Sequence, residues 1–337
     1  MLRHVFTTVA TALVAMSIAI WLKLPMPQIT MVSVFILMQP LTRQVLAKSL
    51  YRMIGTVTGV AAVWLLAPLF AQTPESLLMA LGVWVTLFTA AAAFNRDLRA
   101  YSIVLTGYTP LLIGIPAAME LHHVRVDALS RLAEVGLGVA CAAIAALALG
   151  RRAVMPVPPH APPASPDPAP AMMLPAGTRT VQASLAGLHP AIAMLAMGTL
   201  WLATSWRGGA MATLNATVDC ALVALAAHPV RAALQMSSGT VGAVAMALLL
   251  KACYLWLPLP PSLLLAPALA IGAWMTGRAQ TLGQGLGYCI TLSMLAYPGA
   301  AHNDQYLYDS AGLVLSVAVL TAVCAVLWPL RQRVNPI

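Results

Sequence analysis

Residues 310–329 read SAGLVLSVAVLTAVCAVLWP, twenty residues without one charged side chain. A helix that crosses the hydrocarbon core of a bilayer needs about 20 mostly apolar residues, because no water is present there to bind free backbone groups. The stretch therefore predicts a transmembrane helix, and similar runs recur along the whole chain. The predicted spans cover residues 4–22, 28–41, 53–71, 76–94, 102–118, 128–149, 187–204, 210–227, 237–257, 262–276, 281–298 and 310–329. The second and the tenth predicted spans are short, so each is alternatively a tilted, broken or re-entrant segment. The total would then be ten or eleven spans.

The composition excludes most other classes of protein. Of the 337 residues, 61% are hydrophobic and 8% are charged, whereas roughly 25% of the residues of a typical soluble protein are charged. We therefore predict an all-α polytopic membrane protein of about twelve transmembrane helices. The five cysteines lie in apolar runs and form no C-x-x-C pair, which argues against metal or redox chemistry. The sequence contains no nucleophile motif, P-loop, GxGxxG or zinc-ligand spacing, so we expect no enzyme activity, cofactor or metal.

The lysines and arginines are distributed unevenly between the two sides of such a protein. If twelve spans alternate from a cytoplasmic N-terminus, thirteen of the eighteen basic residues fall on the cytoplasmic side. Four (Lys23, Arg125, Arg131 and Arg207) fall outside, and Lys251 lies within a span. This asymmetry follows the positive-inside rule and places both termini in the cytoplasm. Topology thereby explains the net charge of +9, and no nucleic-acid partner is expected.

A proline-rich segment separates two equal groups of predicted spans. Between Pro156 and Pro175 it contains nine prolines in twenty residues. Proline lacks the amide hydrogen and clashes with the preceding helical turn, so an extended tether is expected here. We predict a first six-helix half at residues 1–152, a cytoplasmic linker at 153–182 and a second six-helix half at 183–337.

Short sequence matches relate the two halves. Gly55-Thr56 in the third span resembles Gly239-Thr240 in the ninth, and Gly107-Tyr108 in the fifth resembles Gly287-Tyr288 in the eleventh. Because each half contains six spans, both enter the membrane from the same side, which predicts two parallel six-helix repeats about an axis along the membrane normal. Two such bundles commonly enclose a pathway. The alternative is that glycine-rich apolar helices look alike by composition alone.

Several motifs resemble those of a known family of membrane proteins. In the first half they are Val34-Phe35 through Gln39-Pro40, Lys48-Ser49-Leu50-Tyr51-Arg52 before Gly55-Thr56, Arg99-Ala100-Tyr101, Leu105-Thr106-Gly107-Tyr108-Thr109, and Arg131-Leu132-Ala133-Glu134 before Leu137-Gly138. Weaker matches in the second half are Trp201-Leu202-Ala203-Thr204, Trp206, Gly208-Gly209 and Gly239-Thr240. On these residues the chain resembles the fusaric acid resistance family, which includes bacterial aromatic acid exporters.

The resemblance implies proton-driven export of aromatic or other weak organic acids across the bacterial inner membrane. It also implies, for some members, a periplasmic membrane-fusion adaptor and an outer-membrane channel as partners. Family members often carry a substantial helical cytoplasmic domain between the halves, where this chain has only the proline-rich segment.

Ionisable residues at membrane depth are the candidates for proton coupling, because each costs about 2.5–3.5 kcal/mol to insert. Asp219 lies midway along the eighth span with Asn215 one turn before it, and burial disfavours the charged form of a carboxyl. The alternative is a structural carboxylate neutralised by Lys251 or a hydroxyl. Arg131 and Glu134 are three residues apart and close enough to pair along a helix, either in a proton relay or simply to lower the cost of insertion.

A second group of residues is predicted to bind the substrate, with cationic side chains for a carboxylate and aromatic faces for a ring. The group consists of Arg43, Lys48, Arg52, Arg96, Arg99, Tyr101 and Tyr108. The alternative for the cations is membrane orientation and contact with anionic lipid. The alternative for the tyrosines is anchoring at the membrane interface.

These observations favour a secondary exporter of organic anions in which two halves rock about a central pathway. A passive organic-anion channel is a second hypothesis, since distantly similar plant proteins form malate channels from six-span subunits. A non-transporting membrane subunit of a larger complex is the third. The lipid bilayer is the expected surrounding, and assembly as a homo-oligomer is left open.

Overall fold

The computed structural model describes residues 2–38, 42–70, 72–95, 98–117, 124–150, 176–256, 261–295 and 305–334. Within these ranges the chain forms twelve α-helices. They are α1 (Leu2–Trp21), α2 (Gln28–Leu37), α3 (Thr42–Phe70), α4 (Pro74–Ala93), α5 (Leu98–Ala117), α6 (Val124–Gly150), α7 (Ala176–Thr204), α8 (Gly209–Val223), α9 (Pro229–Trp256), α10 (Pro261–Thr276), α11 (Leu282–Leu295) and α12 (Gln305–Val334).

Seven of these helices, α1, α3, α4, α6, α7, α9 and α12, are long and apolar enough to cross a membrane. Large apolar side chains lie on the outside of the bundle, and on α3 they form a stripe at helical spacing. The stripe consists of Leu46, Leu50, Ile54 and Val57, all exposed. A continuous apolar stripe of this kind is suited to contact with lipid. The predicted all-α polytopic membrane fold is confirmed.

Four helices are shorter than the others. The helix α2 has 10 residues, α11 has 14, α8 has 15 and α10 has 16. At 1.5 Å per residue α2 is about 15 Å long and α8 about 22 Å long, less than the ~30 Å hydrocarbon core. The second and tenth predicted spans are therefore short, as expected.

The helix α8 is also shorter than the predicted span at 210–227, whereas residues 296–298 of the predicted span at 281–298 lie outside the described part of the chain. The helix α8 ends at Val223 because residues 224–228 form turns before Pro229 begins α9. Of the predicted linker at 153–182, residues 153–175 lie outside the described part of the chain. The remaining residues, 176–182, are the first turns of α7, since Pro175 is the last proline of the segment.

The helix contacts of the first six helices recur in the second six. The helix α3 packs on α5 and α6, α2 packs on α1 and α6, and α4 packs on α5. The contacts of α9 with α11 and α12, of α8 with α7 and α12, and of α10 with α11 follow the same pattern. The same set of helix pairs thus occurs twice along the chain.

Two local features show the same offset of six helices. Gly55 on α3 meets α5 so closely that a Cβ would lie 2.8 Å from the carbonyl oxygen of Ser102. Gly239 on α9 meets α11 in the same way, against the carbonyl of Gln284. Lys23 after α1 and Ser205 after α7 are the two described non-glycine residues with positive φ, a conformation that commonly ends a helix.

The two groups of six helices meet through four main contacts. At the sides, α4 packs on α7 and α1 packs on α10. At the centre, α2 packs on α11 and α5 packs on α8. Three of the short helices, α2, α8 and α11, therefore lie in the middle of the bundle.

Candidate functional site

A cavity of about 100 Å³ lies between the two groups of helices, large enough for several water molecules or one small ligand. Its wall consists of residues from α2, α3, α5 and α6 on one side and from α8, α11 and α12 on the other. Most of these residues are apolar. The polar ones are Arg52, Tyr108, Arg131, Asn215, Asp219 and Thr291.

Arg52 brings a buried guanidinium from α3 to this wall. The residue is 6% exposed. One terminal nitrogen donates to Ser33 Oγ at 3.2 Å and the other to the Tyr101 hydroxyl at 3.3 Å. The Nε has no partner, and no described acidic side chain lies within 4.0 Å of the guanidinium. Arg52 is thus a buried cation held by neutral groups only.

Arg131 brings a second buried guanidinium, from α6. It is also 6% exposed. Its Nη2 donates to the Leu112 carbonyl at 3.2 Å and contacts Met26 Sδ at 3.6 Å, while Nη1 has no partner. Two cations therefore line one cavity, each with an unsatisfied donor.

Glu134 does not pair with Arg131 in the described part of the chain, although the two are three residues apart on α6. Its Oε1 accepts a 2.7 Å hydrogen bond from the backbone N–H of Met26, in the connection between α1 and α2. Both side chains reach Met26, Glu134 at the backbone N–H and Arg131 at Sδ, while the hydrogen bond of Arg131 is donated to Leu112 on α5. Glu134 is buried but does not line the cavity.

Lys48 lies next to the Arg52 cluster and has a different partner. Its Nζ donates to the carbonyl of Ile36 at 2.7 Å and lies 5.3 Å from the centre of the Tyr101 ring. The last carbonyls of a helix lack partners within the helix. Lys48 therefore stabilises the C-terminal end of α2, whose last residue is Leu37 and whose C-cap is Met38.

On the other side of the cavity, Asp219 is 7% exposed on α8. The amide of Asn215 donates to Asp219 Oδ2 at 2.9 Å and to Ser316 Oγ on α12 at 2.9 Å. Lys251, considered above as the neutralising partner of Asp219, instead lies 4.6 Å from the centre of the Tyr306 ring. Asp219 has no cationic partner among the described residues.

The structure thus brings four of the predicted site residues, Arg52, Tyr108, Arg131 and Asp219, to one cavity. Lys48 and Tyr101 lie beside it. Arg99 is exposed, and the side chains of Arg43 and Arg96 lie outside the described part of the chain. Ser33, Ser316 and Thr291 were not predicted from the sequence, because single hydroxyl residues in apolar helices form no distinguishing pattern. Within the described ranges no group of three His, Cys, Asp or Glu side chains is placed to hold a metal ion.

Comparison with known proteins gives one family match. The model of the family described as "Fusaric acid resistance protein family" matches residues 1–157 and 163–335. No solved structure matches the chain.

Among curated relatives, the fusaric acid resistance protein FusC of Burkholderia cepacia is 37% identical over 116 residues, 32% of this chain and 32% of the relative. The uncharacterized transporter YdhK of Escherichia coli K12 is 29% identical over 141 residues, 41% of this chain and 21% of the relative. The p-hydroxybenzoic acid efflux pump subunit AaeB of Edwardsiella tarda is 33% identical over 103 residues, 31% of this chain and 16% of the relative. The matched part spans about a third or less of each relative.

Proposed function

Because the chain belongs to the fusaric acid resistance protein family, as its motifs predicted, we propose that it is an inner-membrane secondary transporter that exports aromatic or other weak organic acids. The family and two relatives named as a transporter and as an efflux pump subunit support membrane transport. The substrate class, the direction of transport and the proton gradient as its energy source are proposed in addition.

The observation that carries the proposal is the pair of buried guanidiniums at one cavity. A buried cation without an ionic partner is strongly destabilising, and each of Arg52 and Arg131 retains a nitrogen without a hydrogen-bond partner. A carboxylate in the cavity would accept charge-assisted hydrogen bonds from both residues. The site is therefore suited to an organic anion.

The rest of the wall suits the apolar part of such an anion. Ile29 and Val32 of α2, Leu214 and Val218 of α8, and Met294 of α11 line the cavity. Small-molecule sites are commonly apolar with a few polar groups that orient the ligand. An aromatic ring would contact these side chains while its carboxylate is held by the arginines.

The position of the cavity supports transport by alternating access. It lies where the two groups of helices meet, so a relative rotation of residues 1–152 and 183–337 would open it to one side of the membrane at a time. In this proposal both termini are cytoplasmic, as the positive-inside rule predicts.

We assign the coupling proton to Asp219. The charged or titratable side chains that share the cavity with it are Arg52, Tyr108 and Arg131, and its direct partner is the neutral amide of Asn215. No described cation contacts this carboxyl, so gain or loss of a proton breaks no ion pair. Proton entry from outside would then drive export.

Other proteins of the cell envelope are proposed as partners. A periplasmic adaptor and an outer-membrane channel would extend export across the envelope, as the name "efflux pump subunit" of one relative suggests. A homo-oligomer is compatible with the exposed apolar faces of the bundle.

The test is efflux from proteoliposomes that contain the purified full chain and labelled benzoate, with and without an imposed pH gradient. We expect uphill efflux with the gradient, loss of transport in Arg52→Gln, and no change in Arg231→Gln, which removes an exposed arginine of α9. Asp219→Asn is expected to keep downhill exchange and to lose uphill efflux. Benzoate conductance in planar bilayers without a pH requirement would support the channel instead, and absence of any movement would support a non-transporting subunit.

A further inference from the structure

We propose that Lys251 and Tyr306 form a second anion site, which binds the carboxylate of the exported acid after it leaves the arginines of the cavity. Lys251 lies near the end of α9 and Tyr306 in the first turn of α12, at the ends that the predicted topology places outside. We call this pair the outer site. The inference rests on the proposed function, because it assumes that an organic anion passes through the cavity.

Lys251 brings an ammonium group into the contact between α9 and α12. The side chain is half-buried, and its Nζ lies 4.6 Å from the centre of the Tyr306 ring. No acidic side chain of the described residues lies within 4.0 Å of this nitrogen. An ammonium group has three donors, and an aromatic face attracts its charge without accepting a conventional hydrogen bond. Lys251 is therefore a cation inside a membrane-spanning helix that can still bind an anion.

Tyr306 adds a hydroxyl group that lacks a partner. The residue is 4% exposed, and its Oη is buried without a hydrogen-bond partner among the described residues. A buried hydroxyl in this state is destabilising until a ligand or water supplies an acceptor. The Lys251 ammonium lies over the ring face and the hydroxyl lies at the ring edge. One oxyanion can therefore accept hydrogen bonds from both groups.

The outer site lies on an extension of the cavity wall along α12. Leu313 lines the cavity and follows Tyr306 by seven residues. Seven residues are nearly two helical turns, so the two side chains lie on one face of α12, about 10 Å apart along its axis. Both belong to the same buried cluster. Because α12 runs inwards from the outside in the predicted topology, Tyr306 lies between the cavity and the outer surface.

A second tyrosine on α12 shows why an organic anion from the cavity is favoured over a lipid headgroup. Tyr308 also lies beside a cation, with the guanidinium of Arg207 5.6 Å from the centre of its ring, but both of these side chains are exposed. Water can satisfy that pair, and lipid can reach it. The Tyr306 side chain is instead packed within the bundle, on the side of the cavity.

The cavity and the outer site differ in strength in the order that release requires. The cavity contains the guanidiniums of Arg52 and Arg131, and a guanidinium binds a carboxylate with two parallel hydrogen bonds. The outer site contains one ammonium, which acts as a point charge, and one hydroxyl. Passage requires sites that accept an ion and then release it. A carboxylate that moves outwards therefore meets a weaker site before it reaches water.

The first experiment is isothermal titration of benzoate into the purified full chain. Arg52→Gln and Arg131→Gln are combined, so that the cavity loses both cations and the residual binding reports the outer site. Lys251→Met should weaken this residual binding about tenfold or more, as expected for a hydrogen bond to a charged group. Tyr306→Phe keeps the ring and should weaken it about threefold. Arg207→Met, which removes the exposed cation beside Tyr308, should leave it unchanged.

Transport gives a second measurement that does not depend on the folding of the combined variant. In a chain that keeps both arginines, Lys251→Met should change the benzoate affinity of the cavity less than about twofold. It should slow gradient-driven efflux about tenfold, because the anion loses an intermediate site on its way out. Lys251→Arg keeps the cation and should restore most of the rate. An unchanged rate in Lys251→Met would overturn the proposed role in release.

The binding outcomes separate this inference from the proposed function. Equal residual binding in Lys251→Met and Arg207→Met overturns the outer site and leaves the proposed function standing. Binding of phosphatidylglycerol but not of benzoate, if it depends on Lys251, identifies a lipid phosphate as the ligand and overturns the role in export. Benzoate binding that is unaffected by the loss of both cavity arginines overturns the proposed function instead.

Discussion

The backbone N–H of Met26 donates a 2.7 Å hydrogen bond to Oε1 of Glu134. Met26 lies in the connection that leads from α1 into α2, and Glu134 is 1% exposed on α6. Since α2 forms part of the cavity wall, this bond holds one side of the site in place. Arg131, one turn earlier on α6, contacts the same residue through Met26 Sδ.

Substitution of Glu134 distinguishes a positioning role from a proton-coupling role. Glu134→Gln should keep uphill efflux, because its amide oxygen still accepts from Met26. Glu134→Ala removes the hydrogen bond to the Met26 N–H and should lower the free energy of unfolding by about 0.5–1.5 kcal/mol. Thermal unfolding in detergent and gradient-driven efflux measure the two effects. Loss of uphill efflux in a stable Glu134→Gln variant would assign Glu134 to proton movement after all.

Arg131 is expected to contribute directly to affinity for the anion. A hydrogen bond to a charged group is worth about 1.5–3 kcal/mol, so Arg131→Gln should weaken benzoate binding about 10- to 150-fold. Arg125→Gln on the same helix is the matched control, since Arg125 is exposed. Isothermal titration with the full chain measures both. Equal affinities for the two variants would remove Arg131 from the site.

Lys48 is expected to affect stability more than binding. Lys48→Met removes the hydrogen bond to the Ile36 carbonyl and should lower the midpoint of thermal unfolding, while benzoate affinity changes less than about threefold. Lys48→Arg should restore much of the stability. The opposite pattern, an unchanged midpoint with weaker binding at low salt, would support the alternative in which Lys48 attracts the substrate.

The contact between α9 and α11 is expected to tolerate no side chain at one position. A Cβ at Gly239 would overlap the backbone of Gln284, whereas a Cβ at Gly242 would lie 3.8 Å from the Tyr288 ring. Gly239→Ala should therefore destabilise the fold by about 1–3 kcal/mol, and Gly242→Ala should not. The yield of monodisperse protein after purification, together with its unfolding temperature, checks the difference. Similar behaviour of the two variants would show that α9 can shift away from α11.

The topology predicts the side on which reporter tags appear. Tags placed after Arg152 and at the C-terminus should both report from the cytoplasm, because most arginines and lysines flank the cytoplasmic ends of the predicted spans. A tag after Arg207 should report from the outside. An external signal from either of the first two tags would invert the proposed direction of proton entry.

The sequence was sufficient to select Arg52, Arg131 and Asp219 as candidate site residues. A charge within an apolar run is costly wherever its helix packs, so such residues can be recognised without a tertiary structure. The same reasoning selected Lys48 and Glu134, which instead bind the backbone groups Ile36 C=O and Met26 N–H. Side chains one turn apart on a helix can face different neighbours, and the sequence does not contain those neighbours' positions.

The order of amino acids by itself determined that the chain is a helical polytopic membrane protein, because hydrophobic length and charge spacing act locally along the chain. The tertiary structure decided that α8 is short, that Glu134 binds the Met26 N–H, and that the guanidiniums and Asp219 share one cavity. These features depend on contacts between helices distant in sequence, such as α5 with α8 and α2 with α11. Packing and hydrogen bonding between such helices are properties of the folded bundle.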